Sequence, residues 1–151
     1  MCGRFFRLRP RDEIAAAFRA VPHSDLSPAF NIPPGGPILA VRTNPKTQER
    51  TLDALHWGLI PHFATDRKIA FRLSNARAET VHTLPSFRTA FAKRRCLVVA
   101  NGFFEWLTRG KQKYPYAFAR EDQQAFGIGG VWENWQDPAT GDWVRSCAMI
   151  T

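Results

Sequence analysis

Residues 94–151 read RRCLVVANGFFEWLTRGKQKYPYAFAREDQQAFGIGGVWENWQDPATGDWVRSCAMIT. Apolar and aromatic runs in this stretch are interrupted by TRGKQK (108–113), EDQQ (121–124) and QDPATGD (136–142), polar segments of turn-forming composition. Short segments punctuated this often pair with their sequence neighbours, so the C-terminal half predicts a succession of short strands in a largely antiparallel sheet. The closing WVRSCAMIT ends on an apolar run with no turn or cap behind it, from which the natural polypeptide is expected to continue past Thr151.

Working back toward the N-terminus, ILAVR (38–42) and RTLDALHWG (50–58) flank the turn-rich TNPKTQE and predict a hairpin with a long loop. LPSFRTAFAK (84–93) places Phe87 and Phe91 four apart and predicts a helix. PRDEIAAAFRAV (10–21) predicts another, with Ile14, Phe18 and Val21 on one face and Asp12 and Glu13 in the first turn, where the helix dipole favours acids. FNIPPGGP (30–37) holds three prolines and two glycines and reads as a rigid surface loop. No repeat or linker divides the chain, so the expectation is one α+β domain over residues 1–151.

With 151 residues, 44% of them hydrophobic and 13% aromatic, the chain can bury a core and is not disordered in composition. A net charge of +8 favours a polyanionic partner, nucleic acid before membrane, against the alternative of a merely soluble basic surface. Cys2, Cys96 and Cys147 are odd in number and widely spaced, which points away from a disulfide framework and toward a reducing compartment; the expected location is the cytoplasm, associated with the nucleoid. No run has signal-peptide or membrane-span character. His23, His56, His62 and His82 lack metal-ligand spacing and a supporting carboxylate pair, and FGIGG lacks the lysine of a phosphate loop, so neither a metal nor a nucleotide cofactor is expected.

Three places carry candidate chemistry. In SNARAET (74–80), Asn75, Arg77 and Glu79 alternate and would share one face of an extended segment, either as a polar cluster or as a solvated strand face. Glu105 is the only charge within NGFFEWL; among apolar neighbours its pKa would rise and suit it to proton transfer, whereas at a sheet edge it would simply face water. Cys2 becomes the N-terminus once Met1 is removed, and then carries an amine and a thiol on adjacent carbons. An aldehyde condenses with that amine, and the thiolate closes the imine to a thiazolidine; the same amine is equally placed to act as base for the thiol in amide hydrolysis.

MCGRF at the terminus, FNIPPG, HWGLIP, SNARAET, RRCLVVANGFFEW and the closing MIT resemble, in order and spacing, the SOS-response-associated peptidase (SRAP) family. The resemblance implies an α+β fold with a barrel-like sheet flanked by helices. It also implies covalent capture of abasic sites in single-stranded DNA, with cysteine-peptidase or lyase-like chemistry. Cys2 would then be the crosslinking residue, Asn75 would hold the reacting centre, and Glu105 would manage protons. Arg4 and Arg77 would meet phosphates beside the lesion, with Asn31 as a further contact to the nucleic acid. Replication or repair proteins are the expected protein partners.

Two departures qualify the match. Relatives continue past MIT to a histidine followed by an arginine, and this sequence stops at Thr151, which implies slow capture or poor reversal with DNA binding retained. Relatives also place a tryptophan after the proline of GLIPHFATD, where Phe63 would have to stack on a base. A cysteine peptidase with an N-terminal nucleophile, and a non-covalent single-strand binder, are the competing functional readings.

Overall fold

The computed structural model describes residues 3–151. The expected hairpin is formed by strands β4 (Pro37–Thr43) and β5 (Arg50–Trp57), antiparallel with Ile38 opposite Leu55 and Val41 opposite Leu52. Strands β7 (Arg95–Ala100), β10 (Phe126–Gln136) and β11 (Trp143–Ile150) continue the sheet in the order β5-β4-β7-β10-β11, each pair antiparallel. β11 then pairs in parallel with β5, Ser146 opposite His56 and Cys147 opposite Trp57, which closes a five-stranded barrel. Closure removes the sheet edges that would otherwise invite another chain.

Ile38–Val41 of β4 and Val98–Ala100 of β7 read as continuous apolar runs because both faces of the sheet are covered there. Inward, Ile38, Ala40, Leu55, Trp57, Val98, Trp132, Cys147 and Met149 pack together with Phe5. Outward, Leu39, Val41, Leu52 and Val99 lie against Ile14 and Ala15 of helix α1 (Arg11–Phe18). Val131 and Ala148 lie against Phe87 and Ala90, at the start and within helix α2 (Arg88–Lys93). α1 ends at Arg19, whose left-handed φ of 51° stops the helix; Val21, expected on its apolar face, instead belongs to the short strand β2 (Val21–Pro22) beside β5 and is exposed.

The second sheet has the order β3-β1-β8-β9, formed by β1 (Phe5–Arg7), β3 (Ala29–Ile32), β8 (Gly102–Arg109) and β9 (Gln112–Ala119). The proline-rich segment is therefore less irregular than expected: Phe30–Ile32 lie in β3, Pro37 opens β4, and only residues 33–36 form the loop. β8 and β9 leave the barrel as a two-stranded arm joined at Gly110, and β9 is exposed along its whole length. Gly102 is required where the arm departs, because a Cβ there would stand 2.2 Å from the Phe6 ring and 2.4 Å from the Phe118 carbonyl. None of the helices among the described residues is long and apolar enough to cross a membrane.

One end of the barrel is closed by charge rather than by hydrocarbon. Arg42 Nε donates to Asp53 Oδ2 at 2.7 Å, Thr51 Oγ1 donates to the same oxygen at 2.6 Å, and the guanidinium lies 4.5 Å from the centre of the Trp132 ring. His23 Nδ1 approaches the other Asp53 oxygen at 3.7 Å. Burial alone would push the Asp53 pKa up, but the Thr51 and Arg42 hydrogen bonds and the Arg42 charge outweigh it and hold the pKa below its ordinary value. Stability from the ionised carboxylate is therefore present above the unfolded value of about 3.9 and is lost as pH falls through the folded one. Urea midpoints measured from neutral to acid pH should fall, and an Asp53→Asn protein, less stable at neutral pH, should lose less on acidification.

Candidate functional site

The opposite end of the barrel receives the N-terminal strand. β1 is paired on both sides, with Phe5 opposite Ile32 of β3 and opposite Phe103 of β8. The Phe104 N–H donates to the Arg4 carbonyl at 2.9 Å, which extends the contact between β1 and β8 one residue toward the N-terminus from Phe5. The Arg4 side chain donates from Nη1 to Asn31 Oδ1 at 2.9 Å, so the terminal guanidinium and the β3 amide form one exposed polar unit. Cys2 itself lies outside the described residues.

Trp57 couples this terminus to Asn75. Its ring is fully buried and meets Phe5 edge-on, with centroids 5.3 Å apart. Its indole N–H donates to the Ser74 carbonyl at 2.9 Å, immediately before strand β6 (Asn75–Ala76), where Asn75 pairs with Met149 at the end of β11. The Trp57 backbone also bonds Gly35 and Gly36, tying the proline loop to the same barrel end. Half-buried Asn75 is thereby placed by nonlocal contacts on both sides. Gly58, next in the chain, has φ 137° and would put a Cβ 2.6 Å from the Ala70 carbonyl, so glycine is needed for this crossing.

Arg77 is exposed, just beyond β6. The expected common face for Asn75, Arg77 and Glu79 does not form: the N–H groups of Thr80 and Val81 bond back to the Arg77 carbonyl, and the chain turns before Glu79. Glu105 is half-buried near the root of the arm, on the strand face shared by Phe103 and Leu107 and directly across from Tyr116. Arg4, Asn75 and Glu105 each make further interactions within the protein.

Phe63 is 55% exposed and lies apart from these residues, in the loop after Gly58. It borders an open cavity of about 500 Å³ with Lys68, Arg72 and Asp66 on its walls. Phe71 is 81% exposed, on the 3₁₀ helix Arg67–Arg72 that leads into β6. Sequence reasoning missed it, although an aromatic between the basic pair Arg67–Lys68 and Arg72 is the composition of a stacking surface. Leu59 N–H donates to the Leu73 carbonyl, so the Phe63 loop and the segment carrying Phe71 and Asn75 are joined.

No group of histidine, cysteine and acidic side chains among the described residues has metal-binding geometry. Two histidines do stand beside single buried carboxylates, His23 at Asp53 and His62 at Glu133, contacts the sequence spacing did not reveal. Burial, with the charge of Arg67, pushes the His56 pKa down, so this imidazole is neutral at pH 7. Cys96 and Cys147 lie inside the barrel, where burial raises the Cys96 thiol to about 12 and the Cys147 thiol well above its ordinary value. Both should resist iodoacetamide in the native protein and react after denaturation, which intact mass before and after unfolding would show.

A family model described as SOS response associated peptidase (SRAP) matches residues 1–151. The abasic site processing protein YoqW of Bacillus subtilis is 36% identical over 155 residues, covering 100% of this chain and 68% of that protein. The abasic site processing protein HMCES of Gallus gallus is 28% identical, covering 82% of this chain and 45% of that protein. A crystal structure of a protein from Bacteroides thetaiotaomicron superposes with a TM-score of 0.90 at 25% identity, over 99% of this chain and 67% of the other. The barrel, the paired N-terminal strand and the end-to-end match converge: the chain belongs to the SRAP family.

Proposed function

We propose that this protein recognises abasic sites in single-stranded DNA and captures the opened sugar aldehyde at its N-terminus. Removal of Met1 frees the α-amine of Cys2. That amine adds to the C1′ aldehyde, the carbinolamine loses water, and an imine forms. The Cys2 thiolate then adds to the imine carbon while the nitrogen takes up a proton, giving a five-membered thiazolidine with no other group released.

The observation that carries this reading is the pairing of β1 with β8, where Phe5 lies opposite Phe103, two residues before Glu105, and Phe5 meets the Trp57 ring whose indole bonds the residue before Asn75. In that position Glu105 gives a proton to the departing carbinolamine oxygen and assists opening of the sugar ring, and the Asn75 amide orients the reacting carbon. Arg4, paired with Asn31, and Arg77 meet the flanking phosphates, while Phe63 and Phe71 offer faces on which bases stack. The relatives named as abasic site processing proteins support the choice of electrophile.

The test uses the processed chain and two single-stranded oligonucleotides, one with a single abasic site and one undamaged. A shifted band that survives denaturation with the abasic strand alone is expected. No shift, or an equal shift with both strands, contradicts the proposal; peptide-bond turnover without DNA would favour the peptidase reading instead.

A further inference from the structure

We propose that His62 is a contact to the DNA backbone, seated beside Phe63 and next to the Glu133 carboxylate. The inference rests on the reading of this chain as a single-strand binder, and adds a residue that the N-terminal chemistry does not require. Glu133 lies on β10 and is only 3% exposed. Its carboxylate accepts from Arg94 Nη2 at 2.8 Å and from the Asn134 N–H at 3.0 Å, and stands 3.4 Å from His62 Nδ1. A carboxylate at Nδ1 fixes the orientation of an imidazole and leaves Nε2 as the nitrogen for a ligand. The His62 side chain is half exposed, so a ligand has access to it.

The loop is rigid on its other sides. The Trp135 indole N–H donates to the Ala64 carbonyl at 2.7 Å, Ala64 N–H closes a turn onto the Pro61 carbonyl, and Ile60 N–H donates to Ser146 Oγ at 2.8 Å. His62 and Phe63 meet edge-on, with ring centroids 5.3 Å apart. A base stacked on Phe63 therefore carries its phosphodiester past the neighbouring imidazole. Among the described residues the charged groups facing His62 are Glu133 and, sharing that carboxylate, Arg94; Lys68, Arg72 and Asp66 line the cavity that Phe63 borders. A cationic imidazole there adds one phosphate contact, and a neutral one does not.

The experiment measures the affinity of the full chain for an undamaged fluorescent oligothymidylate across a salt series, at about pH 5 and about pH 8. The slope of log K against log salt should be steeper at the lower pH by about 0.7, the value for one single-strand phosphate. The change in slope between the two pH values should be smaller by about 0.7 in His62→Gln than in the native chain, and His82→Gln should behave as the native chain does. A native slope independent of pH, or a pH-dependent change in slope that is equal in His62→Gln and the native chain, overturns the contact while leaving single-strand binding intact. Failure to bind at either pH overturns the contact and the single-strand reading together.

Discussion

A Cys2→Ala protein is expected to form no denaturation-resistant adduct with abasic DNA, while its affinity for undamaged single strands stays unchanged. Alanine keeps the α-amine and removes the sulfur. The imine therefore still forms, but nothing closes it to a ring, and water returns the aldehyde. Adding borohydride should trap that imine and restore the adduct in the alanine variant. A protein retaining Met1 should give no denaturation-resistant adduct without borohydride, because its amine belongs to methionine and stands one residue away from the thiol. Glu105→Gln keeps the shape of the side chain and removes the proton-transfer group, so capture should slow by about 10²–10⁴-fold with binding preserved. Adduct formed by Cys2→Ala without reductant would remove the thiol from the chemistry altogether.

Trp57→Ala is expected to destabilise the fold by about 3–5 kcal/mol, the range for emptying a buried aromatic site. For a domain of this size that lowers the thermal midpoint by roughly 6–20 °C. The cavity would open where the barrel meets β1, because Trp57 is fully buried against Phe5 in the inward-facing core. Trp57→Phe separates packing from positioning: it retains a ring but loses the N–H that donates to the Ser74 carbonyl at 2.9 Å. The hydrogen bond itself contributes about 1 kcal/mol to stability. The rate of aldehyde capture should fall by more than that stability loss implies, since the carbonyl released is one residue from Asn75. Equal stability and capture in Trp57→Phe and native protein would show that Asn75 is placed without this bond.

The features legible in the sequence are those with local causes. β4 and β5 announce themselves as apolar segments around an Asn-Pro turn, and the strands after Arg94 are marked by turns at each end. Features set by distant contacts were hidden. β1, β3 and β6 span two to four residues each, too few to carry a periodic pattern, and they are strands because neighbours pair with them. Val21 continued the helical spacing of Ile14 and Phe18, yet the left-handed turn at Arg19 ends the helix first. The parallel pairing of β11 with β5, which makes a sheet into a barrel, has no local signature. The site divides in the same way. Its candidate residues were proposed from the family motifs, whereas the Trp57 link between β1 and Asn75, the exposure of Phe71 and the Glu133 carboxylate beside His62 emerge only when distant segments pack.

Covalent capture by the N-terminal aminothiol is tested most directly by intact mass spectrometry of the protein after incubation with an oligonucleotide bearing one abasic site, without reductant. The predicted species is the chain lacking Met1 plus the oligonucleotide minus one water, with the crosslink mapped by fragmentation to Cys2. An adduct mapped to a lysine, an adduct on protein that retains Met1, or no adduct on the processed chain would contradict it.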